Sequence, residues 1–218
     1  MTDQASAPAS DRVTLRRLPD RGHYEPADVF AILDAGHIAH VGVTTPEGPL
    51  VLPMAYGRDD DYLYLHGSVA NGLLRNGRDA EVCVTVTLLD GLVIARSAFH
   101  NSMNYRSAVV RGTARRIEDA AKKDYALKCI TDHVVENWDS RRPASEAEFK
   151  TTLVLALPLV EISGKVRAWG PVDDEADLGG PQWAGVVPIT TTFGQPTPAD
   201  DVQPGVEPPD AIARLTAQ

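Results

Sequence analysis

The sequence predicts a mainly β domain, an antiparallel barrel or sandwich with peripheral helices. Three observations carry this. Beyond residue 37 the hydrophobic period changes from about 3.6 to 2. Successive alternating segments are joined by turn-length stretches such as PEGP and GRDDD, whereas a doubly wound parallel sheet needs a helix between most strands. Finally, 218 residues with 43% hydrophobic and 23% charged side chains suit one globular domain whose core needs no disulfide staples.

The elements follow in order. Residues 1–11, small and polar, are expected to form a disordered tail. The proline- and acid-rich stretch 194–218 is expected to be a second tail, extended along the surface or disordered, which leaves a folded domain over 12–193. Pro26 suits the first position of a helix running to about Ala35; Val29, Ile32 and Leu33 share its face, and Gly36 is expected to take a left-handed C′ conformation. HIAHVGVTT reads as a strand, PEGP as a turn and LVLPMAY as the next strand. In DYLYLHG, Leu63 and Leu65 take one face; Tyr62, Tyr64 and His66 take the other. A short helix is expected from about Val69, capped by Ser68. AEVCVTVTLL alternates with Val82, Val84, Val86 and Leu88 on one side, and Asp90-Gly91 is expected to open a separate strand, GLVIAR. The loop SAFHNSMN leads into a long strand, YRSAVVRGTARRIE. Asp119 is expected to cap a helix with Leu127, Ile130, Val134 and Trp138 as its apolar stripe, and Ser145 with Glu148 has capping-box spacing. The stretch TTLVLALPLVEISGKVRAW is too long for one flat strand and is expected to bend or bulge at Pro158 and Gly164.

Charge and motifs exclude several functions. Thirty acidic against 21 basic side chains, a net charge of −9, argue against a broad nucleic-acid face. No apolar run approaches the roughly 20 residues that cross a bilayer. The first residues lack the basic and apolar regions of a secretory signal, so a cytoplasmic protein is expected. Cys83 and Cys129 match no zinc or redox spacing. His37 and His40 point to opposite faces of a strand and cannot share an ion, so no metal site is expected. The sequence contains no G-x-S-x-G elbow, no Walker loop and no G-x-G-x-x-G.

Three stretches could carry chemistry. In LYLHGSVANGLLRN a strand ends at His66, Gly67 permits a tight turn and Ser68 precedes a helix whose free N–H groups would seat a phosphate. The same residues also read as an ordinary capped turn, and His66 as a half-buried hydrogen-bonding side chain. Arg106, between Tyr105 and Ser107, offers either a two-pronged phosphate clamp or a surface arginine beside a hairpin. GKVRAWG brings Lys165, Arg167 and Trp169 together, and PQWAGVVP adds Trp183; these rings lie over a ligand or interface, or close the barrel end.

Taken as an ordered series, RRLPDRGHY, AILDAGHIAHVGV, VLPMAYGRDDDYLYLHGS, LLDGLVIARSAFHNSMNYRSAVVRG, KVRAWGP and WAGVVP resemble the pyridoxamine 5′-phosphate oxidase-like flavin-binding split barrels. Within that superfamily the chain is most similar to the nitroimidazole-resistance (Nim-type) flavoproteins. The resemblance covers residues 16 to about 190. It implies a six-stranded antiparallel split β-barrel, homodimeric, with FMN in two equivalent sites at the subunit interface. It also implies an FMN-dependent oxidoreductase acting on a small molecule, with nitro-aromatic reduction as the candidate reaction. By position, Leu52, Pro53, Met54, Ala55 and Tyr56 would pass their backbone beside the isoalloxazine. His66, Gly67, Ser68 and the turn through Asn71 would approach the ribityl phosphate. Arg106 and Ser107 would reach the flavin from the second subunit, and Lys165 and Trp183 would close the site. His66 matches the histidine associated with activity and would act as the catalytic proton donor. One departure matters: where the family usually has an Arg or Lys, this chain reads Ala70-Asn71-Gly72-Leu73, and the next cation is Arg75. Losing such a charge-assisted contact costs about 1.5–3 kcal/mol. It leaves open haem, with His66 or another histidine as axial ligand, or deazaflavin, and also a non-catalytic flavin carrier.

Overall fold

The computed structural model describes residues 7–72, 74 and 79–216. In chain order its strands are β1 (Gly22–His23), β2 (Ala39–Thr45), β3 (Gly48–Met54), β4 (Tyr56–Arg58), β5 (Tyr62–Ser68), β6 (Ala80–Ile94), β7 (Ser102–Arg116), β8 (Thr152–Pro158), β9 (Glu161–Arg167) and β10 (Gly185–Pro188). Helices α1 (Pro26–Ala35), α2 (Ala120–Val134), α3 (Glu146–Thr151) and α4 (Asp210–Thr216) are peripheral. The strand pairings are antiparallel, in the order β3-β2-β6-β7-β8-β5-β4. β9 also lies on β7, β1 on β9 and β10 on the end of β6. One edge of β7 is shared, with residues 105–111 against β9 and 115–116 against β8, so the sheet splits there. The fold is the antiparallel, mainly β architecture that the period-2 pattern predicts. No helix among the described residues is long and apolar enough to cross a membrane.

The apolar strand faces close on one core, where Val41, Val84, Val110, Leu65 and Leu155 meet Val29, Ile32 and Leu33 of α1. A smaller cluster lies on the opposite face of β5 and β8, where Tyr64, Val154 and Ala156 meet Ala126 and Ile130 of α2. Strand β5 is therefore covered on both sides, Leu63 and Leu65 one way and Tyr64 the other.

Several local expectations hold. Pro26 opens α1, and the Asp119 side chain accepts the Lys122 N–H at 2.9 Å. Ser145 and Glu148 form both bonds of the capping box. Others are corrected. Gly36 is extended (φ −92°, ψ 148°), not left-handed; it is needed because a Cβ there would lie 2.3 Å from Val86 Cγ1. Residues 80–94 form one strand, and Asp90 is a bulge opposite β7 rather than a turn. The extra residue moves the buried side from Val82, Val84 and Val86 to Gly91 and Val93. The stripe of α2 is shorter than expected, because Val134 is exposed and Trp138 lies beyond the helix end. Pro158 ends β8, whereas Gly164 continues β9 in regular register with Ala108 and His23, so it is no bulge.

The ends are more ordered in place than tails. Residues 1–6 lie outside the described residues, but the Ser10 hydroxyl donates to Glu161 at 2.5 Å and Val13 is buried. Beyond Phe193 the chain runs extended and exposed over the surface, then forms α4, which buries Ala211 and pairs Arg214 with Glu136 at 2.7 Å.

Candidate functional site

The GRDDD turn builds the first half of the site. Asp59 accepts the N–H groups of Asp61 and Tyr62 (2.9 and 2.7 Å) and the Tyr64 hydroxyl (2.6 Å), which fixes the hairpin of β4 and β5. Tyr56 then pairs with Leu65, so continuing that register sets Ala55 beside His66. The Tyr56 side chain turns inward, fully buried, and its hydroxyl donates to the carbonyls of Leu33 (2.5 Å) and Gly36 (3.0 Å). Only its backbone is free to meet a ligand. Leu52 and Pro53 are exposed on the edge strand β3, and Met54 is partly buried against the core.

His66 stands opposite Val154 near the end of β5. Its Nδ1 is buried with no hydrogen-bond partner among the described residues. Burial pushes the imidazole below the ordinary value of 6.5, so the ring is neutral at neutral pH. An unpaired buried polar atom costs about 1–3 kcal/mol, and native folds rarely keep one without a partner. Next to it, Gly67 packs closely under Leu74: a Cβ would come within 2.8 Å of the Cδ1 of that fully buried side chain, which would have to shift.

Ser68 does not cap the following helix, contrary to expectation. Its hydroxyl accepts the Ala70 N–H (3.2 Å) while the Asn71 N–H bonds the Ser68 carbonyl (2.8 Å), so residues 68–71 form a turn. Helical residues start at Gly72, and the Asn71 side chain takes the capping bond, from the Leu74 N–H at 3.2 Å. Leu73 and Arg75 lie outside the described residues.

The second half lies on β7 and β9. Ser107 pairs with Lys165 across these strands, and the Lys165 ammonium donates to the Arg17 carbonyl at 3.3 Å. Arg106 is held in a two-pronged ion pair by Asp90 (3.0 and 2.7 Å), which occupies the fork expected for a phosphate. The sequence reading missed Asp90 because it took Asp90-Gly91 as a strand opening rather than a bulge facing β7. Trp183, ahead of β10, is 65% exposed, and its ring lies against Gly185. Within one chain the two halves stand apart: β3 and β9 are separated by β2, β6 and β7. Between them runs an exposed apolar row, Val187, Leu92 and Met103, which are direct cross-strand partners. Among the described residues no group of three His, Cys, Asp or Glu side chains could hold a metal ion.

Residues 25–166 match the family described as Pyridoxamine 5'-phosphate oxidase. The chain belongs to that family. Among solved structures, this family member is similar to the flavocytochrome Anf3 from Azotobacter vinelandii, at 38% identity and a TM-score of 0.91, covering 96% of this chain and 99% of that one. It is also similar to the FAD and haem binding protein from Mycobacterium smegmatis, at 36% identity and a TM-score of 0.83, covering 90% and 97%. A candidate 5-nitroimidazole antibiotic resistance protein from Bacteroides thetaiotaomicron shares 30% identity with a TM-score of 0.55, covering 64% of this chain and 82% of that one. No match was found among curated proteins. The family expectation is borne out. The match to the pyridoxamine 5′-phosphate oxidase family stops at residue 166, whereas the likeness to the flavocytochrome takes in most of the segment beyond β9.

Proposed function

We propose that this protein binds a flavin and a haem and passes electrons between them and a small-molecule partner. The observation that carries the reading is His66, a neutral imidazole whose buried Nδ1 has no partner among the described residues. It stands in a protein similar along nearly its whole length to a flavocytochrome and to a protein named for FAD and haem. The residues present fit such groups, since a neutral imidazole offers a lone pair to a metal or a hydrogen bond to a flavin. Bound haem and flavin would supply the redox chemistry, and the chain would supply binding and orientation. In this reading His66 would hold the haem iron, and the backbone from Leu52 to Ala55 would hold the flavin. The exposed row of Val187, Leu92 and Met103 is buried against a second copy, bringing Ser107 and Lys165 of one protomer towards the β5 end of its partner.

The absorption spectrum of the purified protein tests this. The expected result is an intense Soret band together with weaker flavin bands, with the Soret band lost or displaced in His66→Ala. A colourless protein that takes up neither added haem nor added FAD would end the proposal. Flavin bands alone, unchanged by His66→Ala, would instead support the FMN-type reading with His66 as proton donor. Nitro-aromatic reduction is favoured by the likeness to the 5-nitroimidazole resistance protein. Its test is reoxidation of the reduced flavin by a nitro-compound faster than the air control; no difference in rate would leave a carrier or electron-transfer role.

A further inference from the structure

We infer that Arg21, Arg167 and Trp169 form the seat for the diphosphate of a bound flavin dinucleotide; the inference rests on the flavin part of the reading above. Arg167, at the end of β9, is only 3% exposed. Its guanidinium donates to the Asn104 side chain (2.5 Å) and to the carbonyls of Trp169 (2.7 Å) and Gly170 (2.8 Å), all neutral acceptors. Its Nε is buried and has no partner. Among the described residues no carboxylate is paired with it, in contrast to Arg96 and Arg106, which hold Asp173 and Asp90. Instead a second cation packs on the same ring. The Arg21 guanidinium carbon lies 5.0 Å from the centre of the Trp169 ring and that of Arg167 5.1 Å. Burial and the charge of Arg21 both act against the protonated form of Arg167.

An uncompensated buried charge costs several kcal/mol, and a like charge beside it adds to the cost. An oxyanion beside the indole offsets both charges: the half-buried Arg21 guanidinium can take two of its oxygens, and Arg167, buried and bonded to Asn104, Trp169 and Gly170, contributes its charge alone. A diphosphate offers two anionic phosphates, one for Arg21 and one for the Lys165 ammonium. Arg21 is half-buried and Trp169 is 43% exposed, so the site is open on that side. Lys165, two residues before Arg167 on β9, is a third cation, and it pairs with no carboxylate among the described residues. The other places expected to hold phosphate are poorly equipped: the 68–71 turn carries no cation, and Arg106 is already bound to Asp90.

Binding of FAD, FMN and riboflavin to flavin-stripped protein, followed by flavin fluorescence, tests the assignment. Arg21→Gln is expected to weaken FAD about ten- to a hundredfold and to leave riboflavin unchanged. Arg21→Lys should recover part of the loss, and Arg142→Gln, an equal change of charge at the Glu148 ion pair, should have no effect. Added salt should weaken FAD but not riboflavin. An unchanged FAD affinity in Arg21→Gln, in a protein that still binds flavin, overturns the inference and leaves the flavin reading standing. An equal loss for FAD and riboflavin also overturns it, since the residue then acts through the fold. Weakened haem uptake with FAD unaffected overturns it too, by assigning the cations to propionates. A wild-type protein that binds none of the three flavins removes both the inference and the flavin reading.

Discussion

Two half-buried histidines of this protein are both held neutral by desolvation, yet their surroundings are opposite. His133 donates from Nε2 to the Gly36 carbonyl at 2.7 Å, and its ring packs 4.6 Å from Tyr56 and 6.1 Å from His37. Phe193, just after β10, covers His37 at 5.7 Å. Among the described residues His66 has no such ring contact, and its buried Nδ1 has no partner. Burial and a lowered pKa are thus shared by a satisfied structural group and by one that lacks a partner. The hydrogen-bond inventory tells them apart, and it is the better guide to a binding site here.

The contrast can be broken at its structural end most sharply. Gly36→Ala places a Cβ 2.3 Å from Val86 Cγ1 beneath the carbonyl that His133 uses. We expect a loss of about 3 kcal/mol, at the upper end of overpacking costs, read from the urea midpoint. A midpoint equal to wild type would mean that this region repacks freely. The direct comparison comes next. His133→Ala should cost about 2 kcal/mol through a lost hydrogen bond and a small cavity, with cofactor spectra unchanged. His66→Ala should cost less than about 1 kcal/mol in the cofactor-free protein, because no protein hydrogen bond is lost, while altering the spectrum. Equal destabilisation by the two substitutions would erase the distinction. Tyr56→Phe removes the donor shared by the Leu33 and Gly36 carbonyls and should cost about 1–2 kcal/mol, measured in the same denaturation series.

The smallest effect is on pH dependence. Both histidines titrate below 6.5 in the folded protein, so the unfolded chain binds more protons as the pH falls past that value. Stability is therefore full above about 6.5 and declines as the pH falls towards the folded values. Asp132 and Glu148, whose pKa values are lowered from 3.8 and 4.5, add their losses only in more acidic solution. Thermal midpoints between pH 7 and 5 should fall in the cofactor-free wild type and fall less in His133→Phe. Identical slopes would show that His133 does not contribute.

Much of the fold was legible because its signals are local. Pro26 at the head of α1, the Ser145–Glu148 box, the Asp119 cap and the opposite faces of Leu63 and Tyr64 all follow from neighbours within a few residues. The errors share a cause as well. Gly36 is small on account of Val86, fifty residues on, and Arg106 is neutralised by Asp90 only because a bulge aims both side chains together. Ser68 and Asn71 are both good caps by residue type; the turn at 68–71 decides between them.

Period, caps and turn residues determined by themselves that this chain makes an antiparallel β domain, and the ordered series of its segments pointed to its family. Only the tertiary structure decided which polar groups are satisfied. Residue type alone does not tell His66 from His133, or Arg167 from Arg106, because Gly36, Asn104 and Asp90 lie far along the chain from the side chains they meet. Hydrogen bonds and ion pairs reach only about 3 to 4 Å, so a shift of one residue in register makes or removes them without changing the hydrophobic pattern of a sequence.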